Sequence, residues 1–167
     1  RYTWVLDPID GTKSFVSGVP LYANLIALLD GDEAIVGIIN LPALNEMVYA
    51  VKGGGCFWNG RRCHVPTVNK LDEAVLLTSG LNYFGPKQAA WDRLLKATYI
   101  QRTWGDAYGY ALVATGRAEI MADPESLTGL YLSGKRTIPT RSDRREGTGK
   151  HTELIGASEH NLKSIDV

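Results

Sequence analysis

Residues 2–65 alternate between short apolar runs and clusters of turn-forming residues, and that rhythm leaves little room for anything but a sheet. Tyr2-Thr3-Trp4-Val5-Leu6 reads as a strand that ends in a turn at Asp7-Pro8, with a short helix starting at Gly11 or Thr12. Residues 21–29 are mostly apolar and read as a buried strand. Asp30-Gly31-Asp32 turns the chain, and residues 34–39 return antiparallel until Pro42. Residues 46–51 supply a third strand, and Gly53-Gly54-Gly55 a bend or bulge. Asn59-Gly60 is the preferred centre of a two-residue hairpin, which pairs Trp58 with Arg61 and Phe57 with Arg62, and sets Cys56 opposite Cys63. The expected product is an antiparallel meander.

The pattern changes beyond residue 70. Residues 74–78 form another strand candidate. Pro86 opens a helix reaching about Thr98, with Ala90, Trp91, Leu94 and Leu95 on its apolar face. A second helix is expected over residues 106–115, closed by Gly116. Residues 118–122 form a short strand stopped at Asp123-Pro124. The fold class expected is therefore α+β.

Composition narrows the function classes. The chain has 167 residues, 44% hydrophobic and 22% charged, with 18 basic and 18 acidic side chains and no net charge. That balance does not mark a nucleic-acid-binding or membrane-surface protein. No apolar run approaches the ~18 residues of a membrane helix. Two cysteines without a histidine cluster are too few for a structural zinc, and the expectation is two free thiols in a cytoplasmic protein.

The stretch with most chemistry in it is Asp7-Pro8-Ile9-Asp10-Gly11-Thr12. Asp-Pro and Asp-Gly are ordinary turn formers, so a purely structural reading is open. Two carboxylates three residues apart are also hard oxygen ligands suited to Mg²⁺, and exposed N–H groups at a helix start suit a phosphate. The full run Trp4-Val5-Leu6-Asp7-Pro8-Ile9-Asp10-Gly11-Thr12-Lys13-Ser14-Phe15 resembles the metal-binding signature of the inositol monophosphatase family, Mg²⁺-dependent phosphatases of small phosphorylated alcohols. The resemblance implies that Asp7 bridges two Mg²⁺ ions, the carbonyl of Ile9 ligates the first and Asp10 the second. It implies that Thr12 orients the attacking water and that the N–H groups of Gly11 and Thr12 hold the phosphate.

A second stretch, Arg102-Thr103-Trp104-Gly105-Asp106-Ala107-Tyr108-Gly109-Tyr110, resembles the substrate-side helix of the same family, in the form of its histidinol-phosphate phosphatase branch. By that resemblance Gly105, Asp106 and Ala107 touch the leaving-group half of the substrate, and Asp123 faces a substrate hydroxyl or amine. Asp106 as a helix cap and Asp123 as a strand-end turn residue are the structural alternatives. An acidic rim would favour an aminoalcohol phosphate over a neutral polyol phosphate. A homodimer is a further possibility that the family raises.

The resemblance covers residues 1–124 and is incomplete. The family's upstream glutamate has no place before residue 7, and no Trp-Asp pair follows Asp123. With those ligands missing, the expectation is weak Mg²⁺ binding, little or no turnover, and a sheet face left uncovered. Residues 125–167 contain a single aromatic residue, Tyr131, and read mostly as loop with a short strand. Ser126-Leu127-Thr128-Gly129-Leu130-Tyr131-Leu132-Ser133-Gly134-Lys135-Arg136-Thr137-Ile138-Pro139 and Gly156-Ala157-Ser158-Glu159-His160-Asn161-Leu162-Lys163-Ser164-Ile165-Asp166-Val167 resemble the A subunit of the UvrABC excision nuclease, a repair ATPase. The glycine-rich loop that cradles nucleotide phosphates is absent. A DNA-repair component is thus the rival reading, and a catalytically inactive remnant the third.

Overall fold

A computed structural model describes residues 1–81 and 84–123, all within one compact unit. The expected domain boundary at residue 124, the loop-and-strand tail and its resemblance to a repair ATPase lie outside the described residues.

Six strands make the meander in sequence order: β1 (Tyr2–Asp10), β2 (Ala23–Asp30), β3 (Glu33–Leu41), β4 (Glu46–Val51), β5 (Gly55–Trp58) and β6 (Arg61–Cys63). Every neighbouring pair is antiparallel, and Cys56 pairs with Cys63 as the Asn59-Gly60 hairpin requires. Both hairpin residues have left-handed backbones, the conformation that draws Asn and Gly to such turns. Both thiols are free.

Two features depart from the expectation. The opening strand does not end at Asp7-Pro8 but runs on to Asp10, with a register shift between Asp7 and Asp10. Pro8 has no N–H to give the ladder, and the irregularity absorbs it. Then comes a short helix, α1 (Thr12–Val16), entered through Gly11 at φ 73°. The second departure is a separate parallel sheet of three short strands, β7 (Val75–Leu77), β8 (Ile100–Arg102) and β9 (Ile120–Met121), in the order β8-β7-β9. Helix α2 (Gln88–Ala97) makes the crossover from β7 to β8. Trp91 faces inward from it, 3% exposed.

Helix α3 (Asp106–Ala114) joins β8 to β9 and lies between the two sheets. Ala107 and Ala111 pack with Ala23, Leu41 and Val48 of the meander. Leu112 packs on the other side with Leu77 and Ala118. A helix covered on both sides must be apolar all round and slim, which the sequence Asp-Ala-Tyr-Gly-Tyr-Ala-Leu-Val-Ala provides. At Gly109 an added Cβ would lie 2.6 Å from the Trp104 carbonyl oxygen and 2.7 Å from the Met121 sulfur. At the other edge of the meander, Tyr2, Trp4 and Leu6 share one face of β1 and are 68%, 59% and 65% exposed. Val5, on the opposite side of the strand, is 40% exposed as well, so the exposure belongs to the edge strand on both its sides. Among the described residues no helix is long and apolar enough to cross a membrane.

Candidate active site

Three strand ends converge on the bulged end of β1. Strand β7 runs out into Thr78-Ser79, β8 into Thr103-Trp104-Gly105, and β9 into Ala122-Asp123. The carboxyl ends of parallel strands are where an α/β layer has free backbone and loop side chains to offer a ligand. Here they face the opening loop across a cavity of about 450 Å³, lined by Asp10, Gly11, Thr12, Lys13, Ser79 and Asp106.

The loop is held by short-range bonds. Asp7 Oδ1 accepts from the amide of Ile9 at 3.2 Å, and the Thr12 hydroxyl donates to the carbonyl of Ile9 at 3.1 Å. Asn24, on the neighbouring strand, donates to the carbonyl of Pro8 at 2.7 Å. Gly11 is required twice over: its φ is left-handed, and a Cβ there would sit 2.9 Å from the carbonyl oxygen of Leu21. Asp10 reaches across to the other half of the site, where its Oδ2 accepts from the amide of Ala107 at 2.6 Å. Burial pushes the Asp10 carboxyl up from its ordinary range. The Ala107 and Gly11 amides oppose that shift, and the nearby charges of Asp106 and Asp7 add to it.

Across the cavity, Asp106 opens α3 with φ at 53°, a left-handed conformation that few residues with a Cβ adopt, Asp among those that do. The N-cap position of α3 is Gly105, so Asp106 is not the helix cap the structural alternative supposed; the first-turn amide of Ala107 is taken by Asp10 instead. Its amide donates to the Ser79 hydroxyl at 2.9 Å. Gly105 lies so close to the β7 turn that a Cβ would fall 2.3 Å from Cα of Ser79. Asp123 accepts from the Ser79 amide and the Ser79 hydroxyl, both at 2.7 Å.

Of the residues expected from the sequence, Asp10, Gly11, Thr12 and Asp106 therefore line one cavity. Asp7, Ile9, Gly105, Ala107 and Asp123 stand behind that lining and are tied to it by the contacts just given. Lys13 and Ser79 line the cavity without having been singled out. Lys13 was legible as the residue following Thr12. Ser79 carried no local signal, because only the β7–β9 pairing brings it to Asp123, 44 residues away.

The donor chemistry suits a hard divalent cation. Asp7 and Asp10 place carboxylate oxygens within the one loop, and the Ile9 carbonyl oxygen, which accepts from the Thr12 hydroxyl, retains a lone pair. No group of three or more His, Cys, Asp or Glu side chains among the described residues closes a metal cage. Mg²⁺ needs none, since it is commonly held by one or two carboxylates, water and substrate phosphate.

An antiparallel sheet and a parallel one, with a helix packed between them, define a layered α+β protein. The chain belongs to the inositol monophosphatase family, whose signature it matches over residues 1–128. It is 40% identical over 122 residues to a histidinol-phosphatase of Chlorobaculum parvum, covering 72% of this chain and 47% of that relative. With a histidinol-phosphatase of Mycobacterium tuberculosis it shares 39% over 130 residues, covering 73% and 50%. Among solved structures, an inositol monophosphatase from Zymomonas mobilis superimposes with a TM-score of 0.70 at 32% identity, covering 74% of this chain and 49% of that one. The chain thus spans about half the length of the relatives it matches.

Proposed function

We propose that the chain carries the catalytic corner of a Mg²⁺-dependent phosphomonoesterase of small phosphorylated alcohols, with histidinol phosphate as the preferred substrate and inositol phosphates second. The observation that carries this reading is the shared cavity. Asp10, Gly11 and Thr12 of the loop meet Asp106 of α3 across it, and Asp10 is bonded to the amide of Ala107. Membership of a metal-dependent family of phosphatases supports it, as do the names of the histidinol-phosphatase relatives.

In this reading Asp7, the carbonyl of Ile9 and Asp10 hold magnesium. When bound, the ion supplies charge neutralisation for the phosphoryl oxygens and a nucleophile at neutral pH. The chain's own residues do the rest. Thr12, anchored through its hydroxyl to Ile9, orients water toward phosphorus. The Gly11 and Thr12 amides and the Lys13 side chain favour the anionic phosphate. Gly105, Asp106 and Ala107 face the alcohol half, and the Asp106 carboxylate there favours an alcohol bearing an amine. The two reduced thiols are in keeping with a cytoplasmic setting.

The test is a calorimetric titration of the chain with L-histidinol phosphate and with inositol 1-phosphate, each with Mg²⁺ and with EDTA. The expected result is Mg²⁺-dependent binding of both, tighter for histidinol phosphate, with slow turnover at most. Equal binding in EDTA, or a preference for inositol phosphate, would contradict the reading.

A further inference from the structure

Asp123 has the place of a residue that would touch the substrate, yet it does not line the cavity, and both of its carboxylate oxygens accept hydrogen bonds from a single residue. Resting on the phosphatase reading above, we propose that Ser79 is a positioning residue, and that Asp123 serves the site through Ser79 rather than by touching the ligand.

The bonds form a chain with one direction. A serine hydroxyl has one proton to give and two lone pairs. Ser79 gives its proton to Asp123 Oδ2 and receives the amide proton of Asp106. The Ser79 amide fills Asp123 Oδ1. Thr78 does not compete for that carboxylate. Its hydroxyl lies 3.5 Å from Asp123 but 3.0 Å from the carbonyl of Gly80, where its one proton goes. Asp123 at the end of β9 thus fixes Ser79 at the end of β7, and Ser79 fixes the first residue of α3.

That first residue needs fixing. Asp106 sits at φ 53°, in the left-handed region that residues with a Cβ enter only occasionally, Asp among them. Its carboxylate is turned toward the loop, with Oδ2 3.6 Å from where a Gly11 Cβ would be. Without the Ser79 hydroxyl the Asp106 backbone is free to relax to negative φ, which swings the carboxylate away from Gly11. A ligand whose alcohol half carries a cation loses its counter-charge. A ligand whose alcohol half is neutral loses little.

The experiment titrates the full chain with Mg²⁺ present, using L-histidinol phosphate and, as the neutral comparator, glycerol 3-phosphate. Ser79→Ala is expected to weaken histidinol phosphate by about fivefold or more, and glycerol 3-phosphate by less than about twofold. Asp123→Asn should do the same alone and add nothing once Ser79 is alanine. Should Ser79→Ala not fold, Ser79→Cys, which keeps a weaker donor in place, is read by the same ratio. An equal loss for both phosphates would make Ser79 merely structural and overturn the proposal. So would an Asp123→Asn effect undiminished in the Ser79 variant, because Asp123 would then act on the ligand directly. A wild-type chain that binds neither phosphate removes the phosphatase reading itself. A wild-type chain that discriminates, beside a Ser79 variant with the same ratio, removes only the role of Ser79.

Discussion

The amide of Ala107 lies 2.6 Å from Oδ2 of Asp10, so the carboxylate that ends the first strand is also the anion at the start of helix α3, 97 residues later. This contact joins the two halves of the site. It gives Asp10 a structural role beside any role as a metal ligand.

The charge state of Asp10 follows. Burial raises its carboxyl above the ordinary value of 3.8, with Asp106 and Asp7 adding to the effect against the two backbone amides. A folded-state value above the unfolded one means that the native chain binds the proton more tightly. The resulting stability is full below the unfolded value and is lost as pH rises through the folded one. In EDTA, the urea midpoint of the wild type should therefore fall more steeply than that of Asp10→Asn as pH rises above the ordinary carboxylate value. Mg²⁺ should recover it for the wild type only.

Gly105→Ala has no room. Its Cβ would meet the backbone of Ser79 at 2.3 Å, where neither strand end can give way without moving the site. A loss of about 2–3 kcal/mol is expected in denaturant titration, as for overpacking in a core.

Gly11→Ala combines a left-handed φ of 73° with a 2.9 Å approach to the carbonyl oxygen of Leu21. The conformational part alone is about 1–2 kcal/mol. Because the strain sits in the loop, loss of Mg²⁺-dependent phosphate binding should exceed what the change in stability explains. Comparison of calorimetric binding with the denaturation midpoint checks this.

Much of this was legible in the residues. The turn signals at Asp30-Gly31 and Asn59-Gly60 and the apolar runs between them specify the meander, because local chemistry decides a hairpin. Strands at 74–78 and 118–122 were legible and became β7 and β9, but β8 and the parallel pairing of the three were not. Three strands of two or three residues, such as Ile100-Gln101-Arg102, have no alternation to read, and their pairing is set by what α3 needs to cover it. The loop and α3 announced themselves by type and spacing. Ser79 did not, since its importance comes entirely from contacts with Asp106 and Asp123, 27 and 44 residues away.

Cys63 should be an unreactive thiol. Burial, then the hydrogen bond and charge of Cys56 beside it, push it up to about 11 from an ordinary 9.0. At pH 8 its thiolate fraction is below that of a free cysteine, and alkylation by iodoacetamide should slow accordingly. Mass spectrometry over a time course in the native and urea-unfolded chain reads the ratio.

The salt bridge from Arg117 to Glu46, at 2.7 Å, ties the segment after α3 to β4, and the guanidinium lies 4.1 Å from the ring centre of Trp58. Both side chains are mostly covered, so Arg117→Ala should cost about 1–2 kcal/mol in denaturant, and Arg117→Lys part of it. Urea titration followed by far-UV circular dichroism reads the change.

The central claim is that Asp7 and Asp10 grip a magnesium ion together with a phosphoryl group. The direct measurement is calorimetric titration of inorganic phosphate into the chain at fixed Mg²⁺, for the wild type and for Asp7→Asn/Asp10→Asn. The expected result is phosphate binding that requires Mg²⁺ in the wild type and is lost in the double variant, whose fold is intact by circular dichroism. Phosphate binding of equal strength in both proteins, or binding indifferent to Mg²⁺, would contradict it.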